Sequence, residues 1–506
     1  MKRKHIARSI AVLLLLALVI TSLILSLSAC GGGSDNGTDA ADGGETVADT
    51  AAEETTTADP LAVYKDFDFK GADYNIIAQH VENEQPTVPP PELTGEKVLD
   101  ALYERDKTIS EMMNINIVYT NEKYNEVGSR GKLNADLQAA ITAGDCPWHH
   151  VITSMADGMN KHSVGGFIKN LWDVDNIRLE EPWWNQYLTE NLTYNGKLFA
   201  QSGPITLAYY YSPCALAYNR TVADNNGLGD FYDYVADGSW TFDKFAGIIK
   251  DMSRDLDGDG KMTTEDFYAV MSDELSAQAF YIGIGGRHDA IVDGRPQFVL
   301  GEEANITRLA KVAEYIGNPD ITLGSEGLSG FTSTAAKKTN QFKIGKTLFC
   351  AYNMNGYISQ LRDMEDDYGL VPNPKLDEQQ EEYRTLGSGF GPVGVAIPVT
   401  VVDTTMPGAV MDAMAFISYT EVGTLMFEVT LKEKIARDEN SKLMLDIIYK
   451  DVIYDWTCTF SIGNVHVLTR AICLGKKPNI ASEWAAIADS ANAALDKILE
   501  AYDKIN

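Results

Sequence analysis

Cysteine and histidine are scarce in this chain, and neither is spaced for chemistry. Six cysteines occur in 506 residues, with no CxxC pair of the kind used in redox or zinc sites. Once Cys30 is set aside for the reason given below, Cys146, Cys214, Cys350, Cys458 and Cys473 remain. An odd number excludes a complete disulfide framework, and buried free thiols are the default. The seven histidines include no HExxH and no pair at zinc-ligand spacing. His149 and His150 are neighbours, and on a strand they would point to opposite sides. There is no GxSxG nucleophile elbow. Positive charge is also short: 42 Lys and Arg stand against 72 Asp and Glu, for a formal charge of −30. Such a surface repels nucleic acid and anionic lipid, so bulk polyanions are excluded as partners. No internal repeat occurs, and no carboxylate pair is marked by spacing as the acid and base of a glycosidase. One GxGxxG match, Gly389 to Gly394, runs into the strand-like Val395 to Pro398. A dinucleotide site needs a helix N-terminus there, so this match reads as a hinge.

What the chain does have begins at its N-terminus. Lys2, Arg3, Lys4 and Arg8 precede an almost wholly apolar run from Ile10 to Leu27. It ends in Leu27, Ser28, Ala29 and Cys30, which resembles a lipobox. Residues 1–29 are expected to be a lipoprotein signal peptide and Cys30 the lipidated residue. An uncleaved membrane anchor is the competing reading. Either places the rest of the chain outside the membrane, and loss of the four signal-segment cations leaves it near −34. Residues 30–59 read as a disordered acidic tether: Asp35, Asp39, Asp42, Glu45, Asp49, Glu53, Glu54 and Asp59 face no basic or aromatic residue. As a coil the tether would reach on the order of 30 Å.

The stretch from Gly238 to Val270 is the most distinctive. Thr241 is a predicted N-cap, and Phe242, Phe245, Ile248, Ile249 and Met252 form one helical apolar stripe. An acidic loop follows over 255–266. Asp255, Asp257 and Asp259 hold positions 1, 3 and 5, Gly260 position 6, and Lys261 would offer its carbonyl from position 7. This is the spacing of a calcium loop of the EF-hand type, because a hard cation needs oxygens converging from alternate residues. Two features depart from that pattern. Position 12 is Asp266, one methylene shorter than the usual Glu, and Phe267 to Met271 reads as a strand, not an exiting helix. The expectation is a structural calcium site of helix–loop–strand form. A solvated acidic turn is the plain alternative. With a single loop, a sensor role is not expected.

The Ser239 to Phe245 helix start running into DxDGDG resembles the lipid-anchored extracellular solute-binding proteins of ABC importers in Gram-positive bacteria, of the maltose-binding type. Strand-like and helix-like stretches alternate as that resemblance implies: Tyr74 to Ala78, Glu96 to Met113, Ile115 to Tyr119, Lys132 to Ala143 and His150 to Thr153. Asn195-Gly196 reads as a hairpin turn. The implied fold is α/β and periplasmic-binding-protein-like (type II): two lobes joined by crossing strands, with a ligand cleft between them. The N-terminal lobe is expected over 60–207 and 393–432, and the C-terminal lobe over 208–392 and 433–506. Ile205 to Ser212 would be the first crossing strand. Ser482 to Tyr502 is an amphipathic helix of the second lobe.

The resemblance places several aromatics in segments near that cleft: Trp183, Trp184, Tyr209, Tyr210, Tyr211, Tyr357 and Trp456. Flat rings suit the C–H faces of a sugar, but each taken singly is a core residue by default. Asn353 and Asn355 lie on the turn that lines the cleft in the resembling family. The expectation is a non-enzymatic, monomeric receptor on the outer face of the cytoplasmic membrane. It would pass an oligosaccharide to ABC permease subunits. A peptide or another polar solute is the alternative ligand, and a calcium-stabilised glycosidase or a surface adhesin the alternative function.

Overall fold

The computed structural model is described for residues 61–81, 86–331, 333–361, 363–428 and 439–505. The lipobox, Cys30 and the acidic tether lie outside the described residues. No described helix is long and apolar enough to cross a membrane.

The chain opens with strands β1 (Ala72–Ala78), β2 (Ile115–Thr120) and β3 (His150–Thr153). Both β2 and β3 pair with β1 in parallel. Parallel neighbours need crossovers, and the helices Lys97–Met113 and Arg130–Ala143 supply them. The first helix stops at Asn114, which takes the left-handed conformation (φ 50°) that asparagine tolerates at a C-cap. Between Tyr194 and Lys197 the chain reverses through Asn195 (φ 49°) and Gly196 (φ 72°), the conformation a type I′ turn requires.

The expected crossing strand at 205–212 is corrected: Ala208–Tyr211 is a helical turn. Helical spacing sets Leu207 and Tyr210 on one side, where both pack with Val98, Leu102, Val422 and Met426.

Strand β4 (Cys214–Asn219) opens the second sheet. The helix Phe242–Ile249 follows, with Thr241 Oγ1 accepting from the Lys244 amide at 3.3 Å. It ends three residues earlier than the apolar stripe, yet Met252 is still buried. Its Phe245 ring lies 5.2 Å from Phe280 and 5.3 Å from Phe349. Strand β5 (Tyr268–Ser272) leaves the acidic loop, as the sequence predicts. A hairpin of β6 (Asp289–Val292) and β7 (Arg295–Phe298) comes next, then β8 (Thr322–Gly324), β9 (Thr347–Asn353) and β10 (Tyr368–Val371). The five-stranded sheet runs β10-β4-β9-β5-β8, with β4 antiparallel to both neighbours and β5 parallel to both of its own.

Strand β11 (Thr385–Leu386) leads to β12 (Gly394–Ala396), which rejoins the first sheet antiparallel to β3 in the order β12-β3-β1-β2. Gly394 has no room for a side chain: a Cβ there would meet Met159 Cγ at 2.7 Å and the Thr153 carbonyl at 3.0 Å. Strand β13 (Val452–Ile453) pairs with β11 in a two-stranded ribbon.

Each large sheet has its own core. The first gathers Ile76, Ile77, Val151, Ile152 and Val395 with the helix Thr405–Ile417. The second gathers Phe242, Phe245, Val270, Phe280 and Phe349. The last helix, Ile480–Lys504, serves both: Leu495, Leu499 and Tyr502 pack in the first core, Ile480 and Ala491 in the second. The sequence reading assigns this helix to the second lobe alone. All of Cys146, Cys214, Cys350, Cys458 and Cys473 are free thiols.

Candidate functional site

In open α/β sheets, binding residues gather beyond the carboxyl ends of the strands. Here those ends meet. Gln79 follows β1, Asp273 follows β5, and Asn353 ends β9. All three line one cavity of about 440 Å³, with Arg130 from the first lobe, Arg470 from the second, and Ser388 and Phe390 from the segment joining β11 to β12.

The local structure fixes each group. The Gln79 amide donates to the Ile152 carbonyl at 2.9 Å, which holds this residue at the end of the sheet. Asp273 caps the helix Glu274–Gly283, accepting from the Ser276 amide at 2.7 Å, and pairs with Lys338. The Lys338 ammonium also stands 5.3 Å from the Tyr352 ring centre. Arg130 pairs with Asp157 at 2.8 Å and donates to the Phe390 carbonyl at 3.2 Å. Its guanidinium lies 6.0 Å from the Phe390 ring centre, and that of Arg470 lies 5.3 Å from the same ring. One ring thus contacts an arginine from each lobe.

Three side-chain oxygens in this cavity are buried without a hydrogen-bond partner: Gln79 Oε1, Asn353 Oδ1 and Asn355 Oδ1. These residues are 1 %, 7 % and 4 % exposed. A buried unpaired acceptor costs about 1–3 kcal/mol, and three of the residues lining this cavity carry one.

Of the residues singled out in the sequence, Asn353 and Asn355 are therefore in the cleft. The aromatics lie elsewhere. Trp183 and Trp184 are core residues whose indole N–H groups both donate to Asp412 Oδ1 at 3.0 Å. Tyr357 is buried, its hydroxyl accepting from the Tyr352 amide at 2.7 Å and reaching the Ala215 carbonyl at 2.9 Å. Trp456 stacks on Phe460 at 5.0 Å and borders a different cavity of about 370 Å³. Tyr209 and Tyr210 line a third cavity, of about 650 Å³, with Trp184 and Tyr449, while Tyr211 is packed beside them.

Sequence reasoning missed Gln79, Arg130, Asp273, Lys338, Phe390 and Arg470. Gln79 was within reach, since it follows a predicted strand directly. Arg470 had no local signal: its helix, Val465–Cys473, has an apolar stripe like any core helix.

No family model matches the chain, and no curated protein matches its sequence. Solved structures do. The ABC substrate-binding protein Lmo0181 from Listeria monocytogenes, in complex with cycloalternan, superposes with a TM-score of 0.52 at 11% identity, covering 84% of this chain and 99% of that one. The chain has the fold of an ABC substrate-binding protein. A second Listeria monocytogenes protein, the uncharacterized lmo0859, gives a TM-score of 0.53 at 13% identity over 84% of this chain and 99% of its own. The substrate-binding-protein fold accounts for the two sheets, the crossing segments and the cleft at the strand ends.

Proposed function

We propose that this chain is a receptor that captures a small solute, an oligosaccharide, in the cleft between its lobes and delivers it to an ABC import system. The single observation that carries this reading is the cleft itself: both lobes contribute, and three buried oxygens there lack donors. Sugar hydroxyls supply such donors. Lmo0181, which shares the fold, is in complex with cycloalternan. Of the carboxylates lining the cleft, Asp273 is paired with Lys338 and Glu274 with Lys476, while Glu326 accepts from the Glu274 amide at 2.8 Å. The work is a population shift. Ligand binds the closed form better than the open one, and moving the equilibrium from 1:99 to 99:1 takes about 5.5 kcal/mol of differential affinity.

The lipid on Cys30 and the acidic tether belong to the same reading, holding the receptor at the outer face of the membrane near its permease subunits. The acidic loop is read as a structural calcium site. Oxygens of Asp255, Asp257 and Asp259 come within 4.8 Å of one another. Gly258 (φ 75°) and Gly260 (φ 78°) allow the turn. Lys261 would add its carbonyl. Asp266 accepts from the Leu256 amide at 2.8 Å and the Thr263 amide at 2.7 Å, which closes the loop at position 12.

The test is thermal unfolding of residues 60–506 against oligosaccharides, peptides and amino acids at fixed calcium. A ligand at about a hundred times its Kd adds roughly 2.7 kcal/mol. A response to one sugar class supports the reading. A response confined to peptides or amino acids refutes the sugar assignment, and silence across the panel refutes solute capture as stated.

A further inference from the structure

Of the charged side chains lining the cleft, Arg130, Asp273, Lys338 and Glu274 are ion-paired, while Glu326, Lys337 and Arg470 have no ion-pair partner among the described residues. Asp157 holds Arg130, Asp273 holds Lys338, and Glu274 holds Lys476 at 3.0 Å. Among the described residues no carboxylate pairs with Arg470. It is nevertheless held firmly. Its Nε donates to Gln278 Oε1 at 2.8 Å. Gln278 is fully buried, and its Nε2 donates to His288 Nε2 at 3.1 Å, while His288 Nδ1 donates to Asp455 Oδ2 at 2.6 Å. Every donor in this relay meets an acceptor, so the amide orientation and the histidine tautomer support each other. One edge of the Arg470 guanidinium is thereby used, and the Phe390 ring at 5.3 Å covers a face. The two Nη groups carry no hydrogen bond among the described residues. A held, unpaired guanidinium fork beside a cavity matches a carboxylate.

The rest of the cavity asks for a different chemistry in the same ligand. Gln79, Asn353 and Asn355, which line the cavity, each carry a side-chain oxygen without a donor. We propose that the cleft takes an acidic saccharide, a short uronate-bearing oligosaccharide whose carboxylate seats on Arg470 while its hydroxyls satisfy those three oxygens. This rests on the solute-binding reading and narrows it. The formal charge of −30 and the Glu326 carboxylate in the lining disfavour an anion, so the preference must come from the local cations, of which Arg470 offers the bidentate fork and Lys337 a single ammonium.

The test is isothermal titration of residues 60–506 with matched trisaccharides: uronate trimers, their methyl esters, and neutral hexose trimers of the same linkages. The acid should bind about tenfold or more tighter than its ester and its neutral counterpart, in line with one charged hydrogen-bonded contact. Arg470→Met should remove that preference, bringing the acid, its ester and the neutral trimer to similar affinities. The ester comparison uses the unaltered protein, so it stands even if the variant misfolds. Neutral trimers binding as well as or better than the acids would overturn this inference and leave solute capture intact. No binding by any trimer would overturn both.

Discussion

Arg178 and Asp412 meet at 2.7 Å, with the carboxylate wholly buried in the core of the first lobe. The guanidinium lies 4.5 Å from the Trp183 ring centre and 5.1 Å from that of Tyr64, and the Tyr64 hydroxyl also donates to Asp412. The paired tryptophans of the sequence are thus anchors for a buried ion pair. Asp412→Ala should strand the arginine and cost about 3–5 kcal/mol. Trp184→Phe removes one hydrogen bond to charge and should cost about 1.5–3 kcal/mol. Urea unfolding measures both, and ligand affinity should be unchanged in the Trp184 variant.

Buried histidines make stability depend on pH. His150, with neither ring nitrogen partnered, is pushed down to about 3 by burial and then by the Arg105 charge. Burial likewise pushes His162 and His466 down to about 4. The unfolded chain takes these protons first. Stability from these groups is therefore complete above the ordinary histidine range near 6.5 and drains away as pH falls toward 4. Asp289 acts the other way. Burial and then the Asp455 charge push it up to about 7, so its contribution is present at low pH and lost as pH rises through 7. Denaturant unfolding between pH 4.5 and 7.5 should show stability rising with pH. Asp289→Asn should steepen that rise, and His150→Leu should flatten it.

The acidic loop gives a separate test. Asp257 is held above the usual carboxylate range: the Asp259 amide pulls it down, but desolvation and the neighbouring Asp259 and Asp266 charges outweigh that pull. A cation relieves such crowding. Adding EGTA should lower the melting temperature, and Asp257→Ala should abolish the response. An unchanged melting temperature in the wild type would mean the loop holds no structural calcium.

Asn355 trades stability for binding. Its unpartnered oxygen is a liability in the empty protein. Asn355→Leu, of similar shape, should leave the melting temperature unchanged or raise it, while weakening ligand binding by about tenfold. A fall in stability with unchanged affinity would place this residue in the scaffold.

Much of the fold was legible in the sequence because periodicity and capping are local. The strand Tyr74 to Ala78, the turn at Asn195-Gly196 and the helix capped by Thr241 each carry their own signal. The site was less so. A tyrosine run with strand-forming residues folded as a helical turn because Leu207 and Tyr210 had a shared cluster to fill. Trp183, Trp184, Tyr357 and Trp456 have the residue types of a sugar site, yet their polar tips find partners inside the protein. Arg470 acquires its role only through Gln278, almost two hundred positions away in sequence, and nothing local announces that contact.

The central claim is capture without chemistry. The most direct measurement is equilibrium titration of residues 60–506 with a saccharide that shifts the melting temperature, followed by mass spectrometry of the recovered ligand. Saturation at one molecule per chain, with the saccharide returned intact, is the predicted result. Shortened or hydrolysed saccharide after incubation would contradict it and make this protein an enzyme.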